Sequence, residues 1–288
     1  MSQERLEASL DIDRRSTREI VRIIQEQDRL VAGAVAAEEE RIALAIDRIA
    51  GRLARGGHLF YAGAGTSGRI AMLDVAELPP TFGVNPSLVR VLMAGGERAF
   101  FAAVEGAEDD EDAAIEAVNR NVTAGDAVVG IAASGTTPYT LAAVRRTKEI
   151  GALTVGLTST PGSPLARDAD IAIVARTGPE VIMGSTRMKS GTAQKLVLNS
   201  ISTGVMIRLG HAYSNLMIDM PVTNEKLRRR GTRMVELVAG VSPETAERAL
   251  RDAAGEVKLA AVMAKKSVPV GEARRLLEGS TLREILEP

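Results

Sequence analysis

Apolar residues fall along this chain in three successive rhythms. Over residues 1–56 the spacing is helical. Ile20, Ile23, Ile24 and Val31 recur at intervals of three, four and seven, and Leu44, Ile46, Ile49 and Leu53 continue an apolar face in a second helix. From 57 to about 210, short apolar runs alternate with helical segments. The runs are HLFYAGA (58–64), LVRVLMA (88–94), AVVGIAA (127–133), LTVGLTS (153–159) and DIAIVA (170–175), and the helical segments include 109–121 and 138–150. That alternation predicts βαβ units and an α/β fold with a parallel five-stranded sheet covered by helices on both faces. From 188 to 239 the pattern is helical again, and KLVLNSISTGVMIRL is apolar over too much of its circumference for a solvent-facing helix. The tail holds three short helical patterns, SPETAERALRDA, EVKLAAVMAKK and VGEARRLLEG, with Ser242 at an N-cap and Pro243 at the first helical position. The expected division is an N-terminal helical segment over 1–56, an α/β domain over 57–239 and a small helical domain over 240–288.

Composition narrows the chemistry. Apolar residues make up 45% of the 288 residues, enough for a sizeable core. The 36 basic and 37 acidic side chains nearly cancel, which gives no electrostatic case for nucleic acid or an anionic membrane as partner. With no Cys and only His58 and His211, a disulfide, a thiol nucleophile and a His-rich metal cluster are excluded. Aromatic residues are 2% and Trp is absent, which argues against a site built by ring stacking. The opening MSQERLEASLDIDRRS lacks the apolar region of a signal peptide, and no run reaches the ~18 apolar residues of a membrane span. The expectation is a cytoplasmic protein.

Two turns carry candidate chemistry, because each follows a predicted strand and opens a helix. The first is Gly65-Thr66-Ser67-Gly68 and the second is Ser134-Gly135-Thr136-Thr137, followed by Pro138. A helix start presents unpaired N–H donors and about half a positive charge, and so holds anions. The hydroxyls of Thr66, Ser67, Ser134, Thr136 and Thr137 add donors. Ligands of open α/β sheets lie at the carboxyl ends of the strands, so the two turns together predict one phosphate site that needs no metal. Gly63, Gly65 and Gly68 also spell the G-x-G-x-x-G of dinucleotide folds, but the context fails. The next strand ends near Met93, the first acid beyond it is Glu97, and no lysine follows Gly68. Glu77 lies ten residues past Ser67, roughly 15 Å along a continuous helix, and Pro79 and Pro80 are expected to stop that helix just beyond it. In VEGAEDDEDAA (104–114) the acids suit a first helical turn, and spacing alone does not choose among Glu105, Glu108, Asp109 and Asp110.

Longer stretches add a resemblance. GAGTSGRIAMLDVAELPPTFG, AVEGAEDD, GIAASGTTPY, GPEVIMGSTRMKSGTAQKLVLNSISTGVMIRLG and NLMIDMPVTNEKL, with ERLEASLDIDRRST near the start, resemble the N-acetylmuramic acid 6-phosphate etherase family over nearly the whole chain. The resemblance implies a sugar isomerase (SIS) type domain with a small ubiquitin-associated-like helical tail, a homodimer and no cofactor. It also implies cleavage of the D-lactyl ether of N-acetylmuramic acid 6-phosphate to N-acetylglucosamine 6-phosphate and D-lactate, in the recycling of peptidoglycan sugars. By the family's motifs Glu77, before the Pro-Pro pair, is a catalytic acid/base acting at the ether oxygen, and Glu108 is the second carboxylate, acting as base. The phosphate site would fall on Gly65, Thr66, Ser67, Ser134, Gly135 and Thr137, with Thr136 in the same turn. There are departures. Thr136 stands where the family usually has Arg, the family's ASECPP is Ala76-Glu77-Leu78 here without the Ser and Cys, and Leu6 follows Arg5 where Asn is usual.

His58 and His211 are expected to be structural, as is Glu180 at least as readily as functional, while Arg187 and Lys189 suit a helix start or an interface. Two other functions compete with the etherase. One is a non-catalytic sugar-phosphate sensor like the glucokinase regulatory protein, which shares the GSTRMKSGTA-like signature but has a longer chain with two SIS domains. The other is an aldose–ketose isomerase, which would also use Glu77 or Glu108.

Overall fold

A computed structural model describes residues 4–287. The chain forms two compact units. One takes in the chain through Ala76 together with Pro86–Val205, and the other takes in Glu77–Asn85 and the chain from Met206 onward.

The first unit opens with α1 (Thr17–Ala36) and α2 (Glu39–Leu53), the two helices expected from the spacing. Ser16 starts α1 with a capping box, its hydroxyl accepting from Glu19 N while the Glu19 carboxylate accepts from Ser16 N. Next along the chain come β1 (Leu59–Gly63), α3 (Gly65–Phe82), β2 (Val89–Met93), α4 (Arg98–Phe101), α5 (Glu111–Asn121), β3 (Ala127–Ile131), α6 (Pro138–Ile150), β4 (Leu153–Thr158), α7 (Pro164–Asp168), β5 (Ile171–Val174) and α8 (Lys189–Arg208), the residues of α3 from Glu77 and of α8 from Met206 belonging to the second unit. Each strand falls inside one of the five apolar runs. They form one parallel sheet in the order β2-β1-β3-β4-β5. Every residue of β1, β3 and β4 is buried, as continuous apolar runs require when both faces are covered. At one edge, Val174 N of β5 donates to Glu38 Oε2 at 3.1 Å. Helix α8 buries Val197, Leu198, Ile201 and Val205 completely.

One expectation about the helices is overturned. Pro79 and Pro80 do not stop α3, which runs through both to Phe82. Neither proline can donate, so the carbonyls of Val75 and Ala76 cannot receive their intrahelical hydrogen bond. The helix resumes beyond them, with Gly83 N donating to Pro79 O at 2.9 Å.

The second unit has its own core. It contains α9 (Glu225–Ala239), α10 (Pro243–Asp252), α11 (Val257–Lys266), α12 (Val270–Leu277) and α13 (Leu282–Leu286). Met234, Val235, Leu250, Leu259, Val262, Leu282 and Ile285 are buried in one cluster, so the expected boundary at 239/240 falls inside this core. Beyond the three expected tail helices, α13 is a fourth, set by a capping box between Thr281 and Glu284. Ser242 caps α10, accepting from Thr245 N at 3.3 Å, with Pro243 in the first turn.

Candidate active site

The two hydroxyl-rich turns leave neighbouring strands. β1 and β3 pair in parallel with Gly63 opposite Ile131, so both turns emerge side by side at the carboxyl edge of the sheet. From there the chain crosses to β2 on one side and to β4 on the other. This is the reversal of strand order at which α/β sheets open a ligand crevice.

Glycine is required at several points of these turns. Gly65 begins α3 with φ +53 and is exposed, with open space where a side chain would project. A Cβ on Gly68 would lie 2.1 Å from Met93 Sδ and 2.9 Å from Gly63 O, so α3 packs directly on the strand end. In the glycine-rich turn the fingerprint thus has a packing role, and Thr66 and Ser67 lie half-buried in the first turn of α3. In the second turn Gly135 has φ +68, and its missing Cβ would sit 2.2 Å from Ser163 Oγ and 2.8 Å from Thr158 Oγ1. Leu165 N donates to Gly135 O at 3.0 Å, which ties the turn to α7. Ser134 Oγ accepts from Thr136 N at 3.2 Å and from Thr136 Oγ1 at 2.9 Å. Thr137 occupies the N-cap position of α6 ahead of Pro138, as expected, but its side chain makes no cap hydrogen bond. A hydroxyl at a helix start that does not cap it remains available to a ligand.

A cleft of about 380 Å³ opens beside the first turn, lined by Gly65, Arg69, Met93, Ala94, Glu105 and Glu108 among others. Glu108 is exposed in a single 3-10 turn, Ala107–Asp109, entered through Gly106 at φ 73. Gly95, at φ +82, lets Val104 and Ala107 approach the end of β2, since a Cβ there would lie 3.0 Å and 3.1 Å from theirs. Arg69 of α3 holds the other side of this loop, with Nε donating to Ala99 O at 3.0 Å and Nη2 to Ala102 O at 3.1 Å. The acids after Glu108 behave as the helix dipole predicts. Asp110 caps α5, accepting from Ala113 N at 2.9 Å, and Glu111 and Asp112 follow in its first turn.

The structure therefore gathers Gly65 and Glu108 into one cleft. Glu77 is exposed on α3 and is not among the residues that line it. Spacing did not reveal Arg69 or Asp74. Asp74 is buried, 5% exposed, and its carboxylate accepts from Tyr61 Oη at 3.1 Å, from Ser202 Oγ at 2.9 Å and from Asn199 Nδ2. Burial pushes its carboxyl above the usual range, against the pull of these hydrogen bonds.

The remaining candidates have structural surroundings. Glu180 is buried and accepts from Lys189 N at 3.1 Å and Ser190 N at 3.0 Å, which caps the start of α8. Lys189 is also buried, its Nζ donating to Gln27 Oε1 at 2.9 Å, and burial lowers its pKa against the nearby charges of Glu180 and Asp28. Arg187 is exposed. His58 lies beside Asp126, Nδ1 to Oδ1 3.3 Å, and His211 beside Asp219, Nδ1 to Oδ2 2.9 Å, where Lys258 also reaches the carboxylate. Among the described residues no helix is long and apolar enough to cross a membrane.

Comparison with known proteins places this geometry in a family. Residues 41–148 match the glucokinase regulatory protein N-terminal SIS domain and residues 101–203 match the SIS domain. An N-acetylmuramic acid 6-phosphate etherase of Symbiobacterium thermophilum is 55% identical over 91% of this chain and 87% of its own. The protein of that name from Escherichia coli K12 is 48% identical over 97% of this chain and 95% of its own. Among solved structures, a phosphoheptose isomerase from Francisella tularensis superposes with a TM-score of 0.55 at 19% identity, over 67% of this chain and all (100%) of its own. At that identity the likeness shows the fold alone.

Proposed function

Since the chain belongs to the N-acetylmuramic acid 6-phosphate etherase family, we propose that it cleaves the D-lactyl ether of N-acetylmuramic acid 6-phosphate, giving N-acetylglucosamine 6-phosphate and D-lactate. The enzyme serves the recycling of peptidoglycan sugars as a cytoplasmic homodimer. The observation that carries this reading is the cleft that Glu108 lines together with Gly65 of the glycine-rich turn, which leaves β1 at the switch point of the sheet.

The phosphate is held by the N–H donors and hydroxyls of the two turns, from Gly65, Thr66, Ser67, Ser134, Gly135, Thr136 and Thr137. With the sugar ring open, the C2 proton lies α to an aldehyde and is acidic. Glu108, as carboxylate, takes that proton. The C3–O bond breaks, a C2=C3 double bond forms, and Glu77 as carboxylic acid protonates the departing lactate oxygen. Water then adds, its oxygen to C3 and a proton to C2, which restores the hydroxyl sugar. The pair must start in opposite protonation states, the usual division of labour between two acid/base carboxyl groups. Exposed Leu30, Leu73, Ile182 and Met183 supply apolar surface that a second copy would cover.

The test is D-lactate release from N-acetylmuramic acid 6-phosphate by wild type, Glu77→Ala and Glu108→Ala. The expected loss of an essential acid or base is at least about 10²-fold in kcat for each variant. A folded wild-type protein that binds the sugar phosphate and releases no D-lactate would refute the reading and favour a sensor. Ketose formation instead of D-lactate would favour an isomerase.

A further inference from the structure

The turn of α3 that carries Glu77 is followed by two positions that give the helix no hydrogen bond. Pro79 and Pro80 remove two successive N–H donors, so the carbonyls of Val75 and Ala76 lose the bonds that would fasten residues 75–80 into one rigid cylinder. Asp74 stands immediately before that weakened stretch, three positions ahead of Glu77. Residues at that separation are neighbours on a helix surface.

The side chain of Asp74 is buried and spent entirely on distant partners. Tyr61 is on β1, and Asn199 and Ser202 are on α8, 125 and 128 positions away in sequence. Asn199 and Ser202 meet one oxygen and Tyr61 meets the other, so both carboxyl oxygens are held by groups on two different elements. Burying a carboxyl group is costly unless its oxygens are hydrogen-bonded, as both are here. A single-point contact would let the helix turn about it. Anchors on both β1 and α8 fix rotation as well as position.

We infer that Asp74 is a positioning residue for Glu77, setting the rotation of α3 about its axis where the proline pair has weakened the helix's own hydrogen bonding. The inference rests on the reading of Glu77 as an acid/base. Side chains of a helix reach about 6 Å from its axis. A rotation of about 10° would therefore move the Glu77 carboxyl by about 1 Å, a displacement that can cost about 10²-fold in rate.

The experiment is a double-mutant cycle on D-lactate release, with Asp74→Asn made in wild type and in Glu77→Gln. Asparagine keeps the shape but gives up one of the two acceptor oxygens, so its NH₂ must meet either Tyr61 Oη or the Asn199 and Ser202 pair, which weakens the anchor. The expected result in wild type is a fall in kcat of about 10- to 100-fold with KM changed by less than about threefold. In Glu77→Gln the same substitution has no further effect, because there is no acid left to misplace. Should Asp74→Asn fail to fold, Ser202→Ala removes one donor and carries the same prediction with a smaller loss. An equal loss in both backgrounds, or no loss of kcat in wild type, overturns the positioning role while leaving the etherase reading intact. A wild type that releases no D-lactate overturns both.

Discussion

Replacing Gly135 by alanine tests whether the second turn is built around the absence of a side chain. Two costs add. Alanine at φ +68 takes up the left-handed conformation, at about 1–2 kcal/mol. Its Cβ would also lie 2.2 Å from Ser163 Oγ, 2.5 Å from Ser163 Cβ and 2.8 Å from Thr158 Oγ1. These neighbours cannot swing away cheaply. Ser163 caps α7, Thr158 Oγ1 donates to Ala133 O at 3.1 Å, and Leu165 N holds Gly135 O. Forced overpacking of this kind costs about 1–3 kcal/mol, so the total is about 2–5 kcal/mol. Gly96→Ala is the control, since Gly96 has φ +67 and open space around the missing Cβ. Only the conformational cost applies there, and the entropy that alanine removes from the unfolded chain is common to both variants. Equilibrium urea unfolding of the two variants should differ by about 1–3 kcal/mol, with Gly135→Ala the less stable. In the folded fraction, Gly135→Ala should also raise KM for the sugar phosphate. Stabilities within about 0.5 kcal/mol of one another would refute the steric argument.

Two further outcomes follow. Burial pushes the Asp126 carboxyl up, but hydrogen bonds from Thr123 and His58 outweigh it and hold it below the usual carboxylate range. A lowered carboxyl gives stability above the unfolded value of about 3.9 and loses it as pH falls through the folded value. Asp126→Asn should therefore be less stable than wild type at neutral pH, the gap closing in unfolding curves taken below about pH 4; a gap constant across pH would count against this. The homodimer reading gives a mass of twice the 30.4 kDa chain in light scattering at micromolar concentration, and a mass of one chain would remove it.

The sheet was legible because burial on both faces leaves uninterrupted apolar runs, and all five strands lie where those runs are. The turns were legible through their chemistry: glycine beside hydroxyls after a strand, and Thr137-Pro138 at a helix start. Short helices were missed where too few residues define a period, although Ser163-Pro164 and the Thr281–Glu284 capping box announced α7 and α13. The proline pair misled, because local rules treat Pro79 and Pro80 as a stop whereas the folded helix continues past the two lost bonds. Asp74 looks like any polar helical position until its partners are known, and those come from β1 and from α8. Arg69 follows Gly68 directly, yet only the fold shows that it grips the carbonyls of Ala99 and Ala102.

The hydrogen bond from Val174 to Glu38 has a consequence beyond local geometry. β5 is an outer strand of the sheet, and an outer strand offers outward-facing N–H and C=O groups to any other chain in extended form. Glu38, at the start of α2, occupies one of those N–H groups with a carboxylate. An intruding strand would have to displace that acceptor and bring its own carbonyl up against a negative charge. The carboxylate thus acts as a stopper against edge-to-edge aggregation, and it costs the protein no strand of its own to close that side of the sheet.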